Sequence, residues 1–486
     1  MAKSNKVLSG LFWVYLENTS AQLISFIVTV VLARLLEPSH YGTIALLMVF
    51  IALAQVFVTG GISSALIQKK DADELDYSTM FWFNLVVSVL LYTLLFFTAP
   101  LIGDYYRQEE LSLVLRVLAF SVPLSAYNCI QHAWVSSRMV FKKSFISNSG
   151  GGILSGLIGI IMAYMGYGLW SLVAQRISHV AFNTILLKIV VEWYPRKMFS
   201  WNRLLPMLSF GWKMMITGFM FTGYSQLRSL IIGKRYSASD LGYYDRGFSF
   251  PHLIAGNIDS TITRVLFPAL AQSQGEGVSL AEKSRRAAKT SAFIMTPILW
   301  GLAIISPSLV EVLLGQKWLP CVPYMQIMCF VWWLQPTQTC SAQAIKAIGR
   351  SDLYLYIEIF SKAIGLLLLA VAVFVFDSVF AIAVMYFVGQ ICSVAIYGTY
   401  SHKHIGYRLI HQAKDLLLPA AMSTIMCVVL YLLGMIIAND IVSVAVQILC
   451  GIIVYWALSA LTRNESYQYI LSTLHLNSRY SRFKQK

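Results

Sequence analysis

Residues 31–46 read VLARLLEPSHYGTIAL, and residues 231–246 read IIGKRYSASDLGYYDR. In both, a short polar connector with a Ser and a Gly separates two long apolar runs. At an offset of 200, Ala33 meets Gly233, Arg34 meets Lys234, Ser39 meets Ser239 and Gly42 meets Gly242. Polar positions in the flanking runs follow the same offset. Gln22, Ser25 and Thr29 correspond to Thr222, Ser225 and Ser229, while Thr59 and Ser63 correspond to Asp259 and Thr263. A constant offset across two helices and their connector reads as a duplication.

The composition says what was duplicated. Of 486 residues, 57% are hydrophobic and 12% charged, about half the charged share of a soluble domain. A hydrocarbon core about 30 Å thick needs roughly 20 apolar residues per helix. About fourteen such runs occur, at 10–34, 42–67, 79–102, 111–136, 147–166, 168–190, 207–232, 242–267, 290–312, 323–346, 353–376, 379–400, 416–438 and 440–462. The expected fold class is therefore all-α integral membrane, with about 14 transmembrane helices. Six spans separate the repeats, an even number, so both copies enter the membrane in the same direction as parallel six-helix lobes that can rock around a central site. The domains expected are an N-terminal lobe at 1–190, a cytoplasmic linker at 191–206, a second lobe at 207–402, an extra helix pair at 403–462 and a basic cytoplasmic tail at 463–486.

Lys and Arg in short loops stay cytoplasmic. With the N-terminus inside, the outer loops hold Arg34, Arg107, Lys234, Arg235, Arg246 and Lys317, and most of the other Lys and Arg fall inside. Both termini are then cytoplasmic. The net charge of +15 follows from this topology and from attraction to anionic lipids, not from nucleic acid. Lys3 and Lys6 before an apolar stretch do not make a signal peptide, because the run carries Glu17 and Asn18 and continues to Arg34 without a small-residue cleavage site. The seven cysteines have no CxxC or other metal spacing. No P-loop, Gly-rich dinucleotide turn, HExxH or GxSxG is present, so the pattern is not an enzyme's.

Ionisable groups inside spans are costly and mark bundle interiors or wet cavities. In the sixth run, LWSLVAQRISHVAFNTILL, Gln175, His179 and Asn183 recur at one-turn spacing, with Arg176 beside them near mid-membrane. In the seventh, Lys213, Thr217, Tyr224 and Arg228 share a face. Arg176, Arg228, Lys213 and Arg116 are the cationic candidates for an anionic substrate. Gln175, His179, Asn183 and Tyr224 are the candidates for polar contact, and Glu17 and Asp259 for coupling to Na+ or H+. Glu358 precedes Lys362 by one turn, the favourable order for an ion pair. No metal site and no cofactor are expected.

The segment LARLLEPSHYG, with SLIIGKRYSASDLGYYDRGFSFPHLIAGNIDSTITRVLFPALAQSQ later in the chain, resembles the Wzx-type polysaccharide transporters of the multidrug/oligosaccharidyl-lipid/polysaccharide exporter superfamily, over about residues 1–460. The resemblance implies two six-helix lobes around a cationic central cavity. It also implies flipping of an undecaprenyl-diphosphate-linked oligosaccharide across the bacterial cytoplasmic membrane, with a polysaccharide polymerase and glycosyltransferases as partners. A planar guanidinium binds phosphate oxygens bidentately, which assigns the diphosphate to Arg176 and Arg228. Two alternatives stay open. A multidrug antiporter of the same superfamily calls for acids in its cavity, whereas these spans hold more cations than acids. A non-transporting membrane scaffold has no need of a six-span duplication.

Overall fold

A computed structural model describes residues 2–69, 71–272, 280–437, 439–462 and 464–472; Lys70, Arg463 and the basic tail beyond 472 lie outside them. Two compact units make up the chain, Met1–Gly242 and Tyr243–Lys486. The first contains α1 (Ala2–Leu35), α2 (Pro38–Thr59), α3 (Ile62–Gln68), α4 (Glu74–Tyr106), α5 (Glu110–Ala119), α6 (Ser121–Arg138), α7 (Phe141–Tyr164), α8 (Leu169–Val190) and α9 (Trp201–Arg235). α10 (Ala238–Gln272) starts in the first unit and runs into the second. The second unit continues with α11 (Leu280–Leu313), α12 (Val322–Trp333), α13 (Gln335–Ala347), α14 (Ser351–Val371), α15 (Val379–Ile405), α16 (Leu409–Ile436) and α17 (Asp440–Leu461).

All fourteen runs read from the sequence fall on helices, but by length and apolarity ten helical stretches among the described residues qualify to cross a membrane, or eleven with the bent α9. The shortfall has a physical cause. α8 and α10 carry charges and amides in their interiors, and the run at 323–346 is divided between α12 and α13 at Leu334. The chain is a multi-pass membrane protein in which two of the expected crossings are unusually polar and a third is split between two helices.

The repeated connectors have one geometry. α1 ends at Leu35 and α2 starts at Pro38; α9 ends at Arg235 and α10 starts at Ala238. Each second helix opens with a capping box, made by Glu37 and His40 in one copy. In the other, Asp240 N donates to Ser237 Oγ at 3.0 Å and Ser237 N donates to Asp240 Oδ2 at 3.1 Å. Such boxes satisfy otherwise orphaned N–H groups at the helix start. The copies also touch reciprocally. A Cβ on Gly42 would lie 1.7 Å from the Ala238 carbonyl oxygen, and one on Gly242 would lie 2.1 Å from that of Pro38. Residue i of one copy meets residue j of the other and the reverse, as at a two-fold interface. Only glycine fits, which explains the two glycines in the repeat.

From this contact α2 and α9 run antiparallel. Gly233 packs on Leu46, the rings of Phe57 and Phe219 are 5.3 Å apart, and the Gly61 and Gly211 backbones meet at the far end. Gly61, at φ +96°, breaks α2 from α3 where α9 bends by 45°. On the other side of the unit α7 is a spine of small residues. Gly152 and Gly156 receive Ile24 and Val28 of α1, while Gly151 and Gly159 receive Asn183 and Gln175 of α8. Small residues at this spacing let membrane helices approach closely where lipid supplies no hydrophobic drive.

Of residues 191–206, expected as a linker, 191–200 lie between α8 and α9 and are tied to the first unit, while 201–206 form the first turns of α9. Trp193 is 6% exposed in a core with Tyr77, Phe81, Cys129 and Leu187. Trp82 Nε1 donates to the Arg196 carbonyl at 2.8 Å, and Gln131 Nε2 donates to that of Trp193 at 3.1 Å. Beyond the segment, Arg203 and Lys69 both reach the fully buried Asp76, at 3.3 and 2.6 Å.

Candidate functional site

The first unit separates its candidates into buried and exposed groups. Arg116, expected among the cationic ligands, donates from Nε to the Phe96 carbonyl at 3.1 Å and lies 4.6 Å over the Phe96 ring. Phe96 is four residues before Pro100 in α4. Proline has no N–H, so the Phe96 carbonyl loses its helical partner, and Arg116 supplies one. An unpaired buried carbonyl costs about 1–3 kcal/mol, which gives this arginine a structural task.

Glu17 lies in a chain of neutral donors. Ser144 Oγ donates to Glu17 Oε1 at 2.7 Å, and Asn148 Nδ2 donates to the same oxygen. Asn183 Nδ2 in turn donates to Asn148 Oδ1, and His132 Nδ1 is 3.3 Å from Ser144 Oγ. The chain thus joins two candidates from α1 and α8, Glu17 and Asn183, through α7. Among the described residues no cation pairs with Glu17. Asn183 is buried in the α7–α8 seam, and Gln175 packs its Cβ against Gly159 in the same seam. His179 is half-buried there, whereas Arg176 is exposed on the neighbouring face of α8.

α9 also carries both kinds. Arg228 is 7% exposed; it lies 5.4 Å over the Tyr224 ring and donates from Nη2 to the Tyr224 hydroxyl at 3.5 Å. Lys213, on the same helix, is exposed and has no ion-pair partner among the described residues.

In the second unit Asp259 of α10 accepts a hydrogen bond from Thr339 Oγ1 of α13. Behind Thr339 is an amide cluster: Gln335 Nε2 donates to Thr339 Oγ1 at 3.3 Å, and Gln390 Nε2 of α15 donates to Gln338 Oε1 at 2.8 Å. No cation pairs with Asp259 among the described residues. One candidate was not singled out from the sequence. Arg264 is exposed on α10 with Asn257, Ser260 and Thr261, and it has no ion-pair partner among the described residues. The signal was its position five residues after Asp259, on a helix that lipid alone would not solvate. Glu358 is held by Lys362 Nζ at 2.5 Å, Tyr397 OH at 2.8 Å and Tyr354 OH at 3.2 Å, as the one-turn spacing led us to expect.

Exposed, positively charged positions on membrane helices can meet an anion, while the buried amides and carboxylates hold the helices in register. Comparison with known proteins bears on which anion. A family described as polysaccharide biosynthesis protein matches residues 31–323. The teichuronic acid biosynthesis protein TuaB of Bacillus subtilis (strain 168) is 24% identical over 358 residues, 73% of this chain and 74% of its own. The lipopolysaccharide biosynthesis protein WzxC of Escherichia coli (strain K12) is 24% identical over 370 residues, 74% of each chain. Among solved structures, the lipid II flippase MurJ in an inward closed conformation superposes with a TM-score of 0.76 at 16% identity, covering 95% of this chain and all of its own. An inward-facing multidrug resistance MATE family transporter gives 0.60 at 14% identity, over 79% of this chain and 94% of its own. The fold is thus that of flippases and multidrug transporters, and the chain belongs to the family of polysaccharide biosynthesis proteins.

Proposed function

We propose that the protein carries a lipid-linked oligosaccharide, attached through an undecaprenyl diphosphate, from the inner to the outer leaflet of the bacterial cytoplasmic membrane for surface polysaccharide assembly. In this reading the chain crosses the membrane fourteen times with both termini cytoplasmic. The six-helix repeats at 1–190 and 207–402 work by alternating access, and the pair at 403–462 is added to them. The supporting observation is the set of exposed cations on membrane helices: Arg176, Lys213 and Arg264. A diphosphate cannot cross hydrocarbon alone, and positive side chains in a low-dielectric path offset its desolvation. Arg176 and Arg264 can each grip phosphate oxygens with a planar fork, whereas Lys213 offers a point charge. Arg228, next to Tyr224, is the further cation on α9. Polar groups such as Gln175, His179 and Tyr224 would contact the sugars while the prenyl tail stays in lipid.

Energy would come from an ion gradient or from consumption of the product, with Glu17 or Asp259 taking Na+ or H+. Among the described residues both carboxylates meet only neutral donors, so a cation would find a charge there that these neighbours have not already compensated. A multidrug antiporter fits less well, because the exposed membrane-helix groups named here are cations. The reading is tested by depleting the protein in its host. Lipid-linked repeat units should accumulate on the inner leaflet while surface glycan falls; undiminished delivery to the outer leaflet in a strain with no second flippase refutes it.

A further inference from the structure

A cavity of about 270 Å³ opens at the start of α11, between that helix and the helical residues 465–472. Three of its lining residues, Arg285, Arg286 and Lys289, lie within five positions on α11. Each is held differently. Arg285 makes a two-pronged contact with the buried Asp415 of α16, at 2.7 and 2.8 Å, and Tyr407 OH donates to the same carboxylate at 3.1 Å. That arginine is fixed in place. Arg286 lays its guanidinium 3.8 Å from the Tyr469 ring centroid. Stacking uses the face of the group and leaves its edge donors to point elsewhere. Lys289 Nζ is 2.5 Å from Glu465, whose side chain is 81% exposed. So exposed a partner adds little to an ion pair.

The location narrows the ligand. The start of α11 is tied to the start of α16 through Asp415 and to the segment just after α17 through Glu465, so the ends of three membrane helices lie together near this cavity. Headgroups are concentrated at that depth, and basic pockets between membrane helices suit them. The pocket, just under the roughly 300–1,000 Å³ of small-molecule sites, is of a size for a headgroup alone. We infer that it binds the phosphate headgroup of an anionic membrane phospholipid, with Arg286 and Lys289 donating to the phosphate oxygens and Glu465 giving up Lys289 when the lipid enters. Glu465 is then a built-in competitor that stands where a phosphate oxygen would go. This inference does not depend on the transported substrate.

The test is phosphatidylglycerol binding to the full-length protein in an uncharged detergent, read by native mass spectrometry, with diacylglycerol as the phosphate-free control. Phosphatidylglycerol should bind and diacylglycerol should not. The Arg286→Gln, Lys289→Gln double variant should bind about tenfold more weakly or worse, as expected for loss of charge-assisted contacts. Glu465→Gln should bind more tightly than wild type, because it frees Lys289; a purely structural salt bridge gives no such gain. Unchanged affinity in the double variant, weaker binding in Glu465→Gln, or equal binding of diacylglycerol overturns the assignment. Should the double variant fail to fold, the direction of the Glu465→Gln change decides alone. Farnesyl diphosphate is the remaining arm. If it displaces phosphatidylglycerol at far lower concentration, and does so less well in the double variant, the site belongs to a prenyl diphosphate and the phospholipid assignment is wrong.

Discussion

In the first unit a carboxylate from α1, Glu17, is bonded to Ser144 and to Asn148, the eighth residue of α7. In the second unit the eighth residue of α14 is itself the carboxylate, Glu358, and it is bonded to Lys362 and two tyrosine hydroxyls. One unit thus holds a charge among neutral donors and the other a charge beside a cation. The repeated hairpins behave in the opposite way. Their capping boxes agree position for position at the offset of 200, and their reciprocal glycines in identity as well. The contrast separates contacts that fix the residue from contacts that let it change. A backbone contact that admits no Cβ leaves no alternative residue, whereas a polar side chain can be exchanged whenever its partners change with it.

The largest effect is expected in the part that was kept. Gly42→Val or Gly242→Val puts side-chain carbon inside the facing backbone, and should cost more than about 3 kcal/mol, enough to abolish folded protein. Membrane yield by fluorescence-detected gel filtration checks it, and normal yield would show that the seam can open without penalty. In the part that changed, one substitution should give two results. Glu358→Gln removes the charge that Lys362 faces and should cost about 2 kcal/mol, less than a fully buried pair because both partners retain some exposure. Glu358→Gln with Lys362→Met should recover most of that. Glu17→Gln keeps hydrogen-bond partners and should cost less than about 1 kcal/mol, yet remove any response of transport to the coupling ion. Thermal unfolding of the three variants in one detergent measures the contrast, and equal losses for Glu17→Gln and Glu358→Gln would erase it.

The smallest effect is in the loops. The Asp76 N–H donating to Asp73 holds the Asp73 carboxyl below the usual range, and Lys143 does the same for Glu192. A depressed folded pKa contributes stability above the unfolded value and loses it as pH falls through the folded one. The melting temperature should therefore be flat near neutrality and drop below about pH 4. Asp73→Asn should flatten part of that drop, and a titration curve identical to wild type would remove Asp73 from the explanation.

Much of this was legible in the sequence. Apolar length placed every run on helix, though ten or eleven of the fourteen qualify as crossings among the described residues, and the offset of 200 recurs at the helix ends. Gly166, Gly168 and Asp377, at the short breaks between consecutive runs, have positive φ where one helix gives way to the next. Residues 191–200 were not legible as a docked segment, because Trp193 and Arg196 find their partners about 60 and 114 positions away without any local period. Arg116 looked like a ligand because the need it meets is created by Pro100, sixteen residues earlier. The polar face of α8 was read correctly as polar, but a periodic pattern cannot tell a helix seam from an open path. Glycines on α7 turn Asn183 into the seam and leave Arg176 outside it.

The central claim is that exposed membrane cations carry a diphosphate-linked sugar across the bilayer. It is tested most directly by reconstituting the protein in liposomes with a fluorescent undecaprenyl-diphosphate oligosaccharide and measuring its transfer between leaflets without ATP. Transfer is expected in wild type. Arg176→Ala should lose it, and Arg176→Lys should restore only part, since a point charge replaces a planar fork; rates are normalised to folded protein in the membrane. Wild-type transfer by a folded, inserted Arg176→Ala variant, with Lys213→Ala and Arg264→Ala equally active, would contradict the claim.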